Sequence, residues 1–325
     1  MSTIGVAYRW AAIAALTLLV LSQIPTLAED DVSETPAART LQPFTVSVDP
    51  VNKIILDEPL DKIRFSSVGL VATVVTVAQD FVSSLARIVV DAPAYQLVAS
   101  PSAARVVVVY PGSRREQVAT AFGSVLGWSR EERQVFLGST TTDPLEEGTL
   151  HPSTYVVSPG LGPVEAHALV KDRFDRRVLS RYATSTRQIV PVDDALIIAS
   201  MLERETSDPD EMRIISGIIW NRLFAGMKLQ IDATLQYVRG TTANTWWPPP
   251  RSRDKYLNSP YNTYQHAGLP PGPISSPSVA AIVAALNPVP TDCYFYFHDL
   301  GGTFYCSKTY EEHVASLKKV YGRGK

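Results

Sequence analysis

Cysteine, excess positive charge and sequence repetition are all scarce in this chain. Among 325 residues there are two cysteines, Cys293 and Cys306, and five histidines. Two thiols and scattered imidazoles lack metal-ligand spacing, so neither a metal ion nor a cofactor is expected. Lys and Arg number 30 against 32 Asp and Glu, a formal net charge of −2. No basic cluster stands out to neutralise phosphates, which argues against nucleic acid as a partner. Gly and Pro recur with no period, which excludes a solenoid. What is present is apolar: 45% of residues, enough to build real cores and to exclude global disorder. The length suits two domains.

The first segment, 1–28, reads as a targeting element. Arg9 precedes the apolar run Trp10–Leu21, and Ser22-Gln23-Ile24-Pro25-Thr26-Leu27-Ala28 follows. Thr26 and Ala28 suit a signal-peptidase site, after which Glu29-Asp30-Asp31 would begin the exported chain. The same run just reaches the roughly 20 residues needed to span a bilayer. Both readings export the chain. An uncleaved anchor is favoured slightly over a cleaved signal, giving a single-pass membrane protein with its main body exported; the alternative is a soluble exported protein.

Residues 29–50 are rich in Pro, Thr, Ser and acids and read as a linker. A small α/β domain is expected over 51–144. Val71–Val77 and Ala104–Tyr110 have the β-branched character of buried strands, and Arg114–Leu126 has helical spacing. A second domain is expected over 145–325, with Gly148–Val157 extended and helices over Val164–Leu179 and Asp193–Thr206. The next helix has a marked start: Asp208 as cap, Pro209 at the first position, Glu211 completing a capping box, and Gly226 closing it. Thr241–Tyr264 reads as loop, Ser278–Leu286 as helix, and about Tyr310 to Val320 as a terminal helix. Between them, Cys293–Cys306 reads as a hairpin with a Gly301-Gly302 turn. Two readings of its cysteines stay open: a cross-strand disulfide, or two buried thiols.

The chemistry concentrates on Ile198-Ala199-Ser200-Met201-Leu202-Glu203-Arg204-Glu205. At about 100° per residue, Glu205 falls between Met201 and Leu202 and near Ile198, while Glu203 falls with Ala199 and Ser200. Glu205 thus continues the bulky apolar stripe. Apolar surroundings disfavour a charged carboxyl and raise its pKa, as a general acid near neutral pH requires. Taken alone, an acid at a helix end is more often solvated or salt-bridged, here by Arg204 or Arg222. The downstream residues shift that balance. Asn221, Gln230, Asp232, Thr234, Tyr261, Asn262, Thr263 and Tyr264 offer directional hydrogen bonds without strong charge. Trp246 and Trp247 are either sugar-stacking faces or loop anchors. His266 reads as a surface residue, and His298 and His313 as structural.

These residues resemble the MltG-type (YceG-like) endolytic murein transglycosylases. The resemblance rests on Ile198–Thr206, Asn221-Arg222-Leu223, Gly226–Gln230, Tyr261-Asn262-Thr263-Tyr264, Gly268–Pro273 and Ala285–Pro288, in the family's order. Gly148–Tyr155 resembles the family's opening motif, and Phe304 with Ser307–His313 its closing segment. Where the family often has Asp-Pro-Thr, this chain has Asp232-Ala233-Thr234. The resemblance covers about Val106 to Val320. It implies an α+β protein: a membrane anchor, a small membrane-proximal LysM-like module, and a catalytic domain acting on periplasmic peptidoglycan strands, with peptidoglycan synthases as partners. It also implies that Glu205 is the catalytic glutamate, acting as acid and then base without metal. Two other readings are a muramidase-like hydrolase in which Asp232 guides water, and a tethered glycan-binding protein without activity.

Overall fold

The computed structural model describes residues 41–56, 104–138, 143–243 and 245–322. The targeting segment 1–28, the expected strand Val71–Val77, and much of the 29–50 linker and of the LysM-like module lie outside the described residues. The described part is mixed α+β, as expected. Its helices pack around two apolar cores, and its ladders are two-stranded and antiparallel.

The linker expected over 29–50 does not extend to its end. Phe44, Val46 and Val48 alternate with polar residues, and that period-2 pattern is buried. Phe44 and Val48 are core residues, and β1 (Val48–Asp49) forms a hairpin with β2 (Ile54–Ile55). Ser47 N–H donates to the Leu286 carbonyl at 3.0 Å. Asn287 binds Thr45 twice, its Nδ2 donating to the carbonyl and its Oδ1 accepting from Oγ1.

The first core contradicts a domain boundary at 144/145. It contains β3 (Arg105–Val109), α1 (Arg115–Leu126), α2 (Arg130–Phe136) and β4 (Ser153–Val157). β3 pairs along its whole length with β4, Arg105 facing Val157 and Val109 facing Ser153. Val107, Phe122, Phe136, Leu150, Tyr155 and Val170 pack into one cluster. A Val-rich strand needs a ladder partner, and its partner lies beyond residue 145. The last of those residues belongs to α3 (Pro163–Arg177).

The second core is helical. After α3 come α4 (Thr184–Ile189), α5 (Val192–Glu205), α6 (Pro209–Phe224), α7 (Asp232–Arg239) and α8 (Val279–Leu286). A hairpin of β5 (Phe295–His298) and β6 (Phe304–Ser307) follows, then α9 (Tyr310–Tyr321). Every residue from Ala195 to Leu202 is buried, so α5 is covered on all sides, as an apolar helix in a core must be. Each Ile, Leu or Met so buried contributes about 1.5–3 kcal/mol. Asp193 and Asp194 in its first turn complement the helix dipole. Ser200, its polar interior residue, accepts from Ile274 N–H at 2.9 Å and takes the Ser275 hydroxyl on its carbonyl at 3.1 Å. The Gly268–Ile274 turn is thereby tied to α5.

Asp208 caps α6 as expected, accepting from the backbone N–H groups of Asp210 and Glu211. Glu211 does not complete a capping box; its carboxylate meets His298 Nε2 at 3.1 Å instead. Cys293 and Cys306 are joined, with Cα atoms 5.8 Å apart.

Candidate active site

α5 stops at Glu205 because Thr206 adopts extended backbone. The Glu205 carboxyl therefore sits where the central helix meets an open cleft of about 790 Å³. The same cleft takes Arg222, Gln230, Asp232 and Tyr264, with Tyr296 and His298 from the hairpin. Phe295, Phe297, Tyr310 and Leu317 add apolar wall, and Lys255 a cation. Of the residues expected at the site, Glu205, Gln230, Asp232 and Tyr264 are brought together.

Two carboxyl–tyrosine pairs face this space. Tyr296 donates its hydroxyl to Glu205 Oε2 at 2.9 Å. Tyr264 donates to Asp232 Oδ1 at 2.7 Å. Glu205 keeps partial contact with solvent along the cleft and is otherwise enclosed. That enclosure pushes its pKa up, with the nearby Asp232 charge acting in the same direction; the Tyr296 hydrogen bond, His298 and Arg204 pull it down. Enclosure, followed by the Glu205 charge, pushes the Tyr296 hydroxyl well above its ordinary value. The proton of that pair therefore stays on the phenol, and Tyr296 acts as donor. No ion pair joins Glu205 to Arg204 or Arg222 among the described residues. Arg204 lies over the Trp247 ring at 4.0 Å.

Arg222 serves the backbone. Its Nε donates to the Tyr294 carbonyl at 2.6 Å, and Nη1 to Leu229 at 2.7 Å and Lys228 at 3.2 Å. These bonds gather the chain leading into β5 and the turn before α7 onto one guanidinium. Gln230, in that turn, has φ of 56°, a left-handed conformation costing a non-glycine residue on the order of 1 kcal/mol or more. Its N–H donates to the Thr263 carbonyl at 3.1 Å.

Five expected binding residues belong to the framework. Asn221 donates to the carbonyls of Thr291 and Cys293 at 2.6 and 3.1 Å. Thr234 and Thr263 are buried and joined at 3.0 Å between hydroxyls. Asn262 is fully buried, holding the Leu257 and Lys255 carbonyls and the Tyr264 N–H. Tyr261 packs on Tyr237, ring centroids 4.9 Å apart, away from the cleft lining. Trp246 and Trp247 are loop anchors: Arg114 stacks on the first at 4.8 Å, and the indole of the second donates to Gln117 at 3.3 Å. Glu203 likewise supports the fold, its Oε2 accepting from Ser278 N–H at 2.9 Å at the start of α8.

Tyr296, His298, His313 and Arg222 line the cleft without having been read from the sequence as site residues. No local signal marks Tyr296 or His298, whereas Arg222 and His313 lie within the Asn221-Arg222-Leu223 and Ser307–His313 motifs. Tyr296 lies 91 residues from Glu205 along the chain, and which edge of the hairpin meets α5 is a tertiary fact.

An acid at the end of a buried helix, a second carboxylate nearby and a polar–aromatic cleft define an α+β protein with a two-carboxylate site suited to acid–base chemistry. It belongs to the YceG-like family, whose profile matches residues 85–319. Similar proteins include an "Endolytic murein transglycosylase" from Streptococcus pneumoniae (serotype 2, strain D39), 30% identical over 169 residues, which are 51% of this chain and 31% of that protein. Another of the same name, from Bacillus subtilis strain 168, is 30% identical over 175 residues, 53% of this chain and 47% of that protein. The matched region thus spans less than half the length of either relative. The crystal structure of a yceG-like protein from Listeria monocytogenes superimposes with a TM-score of 0.57 at 26% identity, covering 66% of this chain and 76% of that one.

Proposed function

We propose that this chain is an endolytic peptidoglycan lytic transglycosylase with Glu205 as its acid and then its base. The observation that carries the reading is the Glu205 carboxyl, raised in pKa by its surroundings and hydrogen-bonded by Tyr296 in an open cleft. The relatives named endolytic murein transglycosylases support the substrate class. Protonated Glu205 gives its proton to the oxygen linking N-acetylmuramic acid to N-acetylglucosamine, and the C1–O bond breaks. The resulting carboxylate takes the proton of the muramic acid 6-hydroxyl, whose oxygen bonds to C1. The products are a free 4-hydroxyl and a 1,6-anhydro end, with no water consumed. Tyr296 occupies Oε2, leaving Oε1 to face the glycan.

Asp232 gives a second reading its observation: a carboxylate in the same cleft could guide water to C1, as in a muramidase. Mass spectrometry of digested peptidoglycan separates the two. Anhydromuramic ends support the transglycosylase; reducing ends alone would overturn it. A protein that binds glycan without cutting it would yield neither. A peptidoglycan substrate supports an active domain outside the cytoplasmic membrane, and the proposal extends to the 1–28 segment as its anchor and peptidoglycan synthases as neighbours. The Cys293–Cys306 bridge fits an oxidising compartment.

A further inference from the structure

We infer that Tyr296 is a positioning residue for Glu205, and that the Asn221–Arg222 pair and the Cys293–Cys306 bridge form a brace that holds it there. The inference rests on the proposed role of Glu205 as acid. Three observations converge on one strand. The ladder partner of Tyr296 is Cys306, so the bridge ties the residue opposite Tyr296 to the chain three positions before it. Asn221 holds the carbonyls of Thr291 and Cys293, and Arg222 that of Tyr294. The end of α6 thus fixes the backbone leading into β5 at three successive points. The strand so fixed delivers the Tyr296 hydroxyl to Glu205 Oε2 at 2.9 Å.

The consequence is geometric. A carboxyl at the end of a helix can rotate about its side-chain bonds. Donation from a rigid phenol to one oxygen selects one rotamer and leaves the other oxygen for substrate. General acids depend on such placement, since small displacements from a productive geometry cost large factors in rate. Asn221 and Arg222, although remote from the reacting bond, then matter through Tyr296. The groups facing Glu205 besides Tyr296 are Asp232, His298, Arg204 and Tyr264. None of them donates a hydrogen bond to it among the described residues.

Tyr296→Phe tests the first half. Phenylalanine keeps the ring and removes only the donor. The donor favours the charged form of Glu205, so its loss raises the pKa further. On soluble peptidoglycan strands, kcat is expected to fall by roughly tenfold or more with KM within about twofold. The alkaline limb of the kcat profile moves to higher pH, because the protonated acid persists further. A variant with unchanged kcat and an unmoved limb, or one whose loss of rate is accounted for by a lowered unfolding midpoint, would overturn the positioning role. The double variant Cys293→Ser/Cys306→Ser tests the brace: a smaller loss of kcat in the same direction supports it, and full activity beside an impaired Tyr296→Phe overturns it. Glu205→Gln is the control on the underlying reading. If that variant still cuts, the assignment of the acid fails; if it is inactive and Tyr296→Phe is normal, only the positioning role fails.

Discussion

Replacing the two glutamates of α5 one at a time gives the most direct test of the site. Glu205→Gln keeps the shape of the side chain and an oxygen that can accept from Tyr296, so the 2.9 Å contact survives. It removes the transferable proton. Losing a general acid costs about 10²–10⁴ in rate, equivalent to roughly 3–5 kcal/mol of barrier. Stability should move the other way. Glu205 has a folded-state pKa above its ordinary 4.5. The folded protein therefore holds that proton when the unfolded chain has lost it. The carboxyl's contribution is fully present below about pH 4.5 and is lost as pH rises towards the raised value. Glutamine does not titrate, so the variant should be at least as stable as wild type at pH 7, with a flatter stability curve above pH 4.5. Glu203→Gln is the contrasting case. Its amide oxygen can still accept from Ser278 N–H, and the lost charge assistance costs about 1 kcal/mol of stability. Activity stays near wild type. Release of soluble fragments from purified peptidoglycan measures the rates, and urea unfolding at pH 4, 5.5 and 7 measures the stabilities. An active Glu205→Gln, or an inactive but folded Glu203→Gln, would refute the assignment.

Two further perturbations probe the frame around the site. Glu147 is buried, accepts from Arg115 N–H at 3.1 Å, and is pushed up to about 8, first by burial and then by the Glu116 charge. Wild-type stability should therefore fall between about pH 5 and pH 8, by up to roughly 1.4 kcal/mol per pH unit from this group; Glu147→Gln should flatten that fall in urea melts, and an unchanged slope would count against it. At Gly217 in α6, an added Cβ would run into the Val289 carbonyl oxygen. Gly217→Ala should lose roughly 1–3 kcal/mol in denaturant unfolding, and wild-type stability would show that the loop after α8 yields freely.

What could be read from the sequence was local. The phase of α5 separated Glu205 from Glu203 because 100° per residue needs no knowledge of the partner surface. The Asp208-Pro209 start of α6 was legible for the same reason. Three short helices were not: α2 has seven residues, α4 six and α7 eight, too few for periodicity alone to mark them. The 144/145 boundary failed because a turn-rich stretch lies inside the β3–β4 connection, and only the ladder shows that the chain returns to the same core. Asn221 was misplaced through its chemistry. An amide on a motif can face a sugar or a carbonyl, and its carbonyls are 70 and 72 residues away.

The framework residues share a physical reason. The cleft is lined by β5, by α9 and by the ends of α5, α6 and α7, together with the turn before α7 and Tyr264; irregular chain behind that lining, including the Gly268–Ile274 turn and the approach to β5, holds these elements together. Irregular segments have no ladder to satisfy their N–H and carbonyl groups, and buried ones must find partners elsewhere. Asn221, Arg222, Asn262, Thr263, Asn287 and Ser200 are those partners, each giving at least one hydrogen bond to the backbone of another segment. Ordered polar motifs spread over ninety residues therefore do not require ninety residues of substrate contact. They arise when the elements that carry a few reacting groups are joined by buried loops, and each loop needs its own polar clasp. On this account most of the motif fixes backbone, and the proposed chemistry rests on Glu205, which that backbone presents to the cleft beside Tyr296.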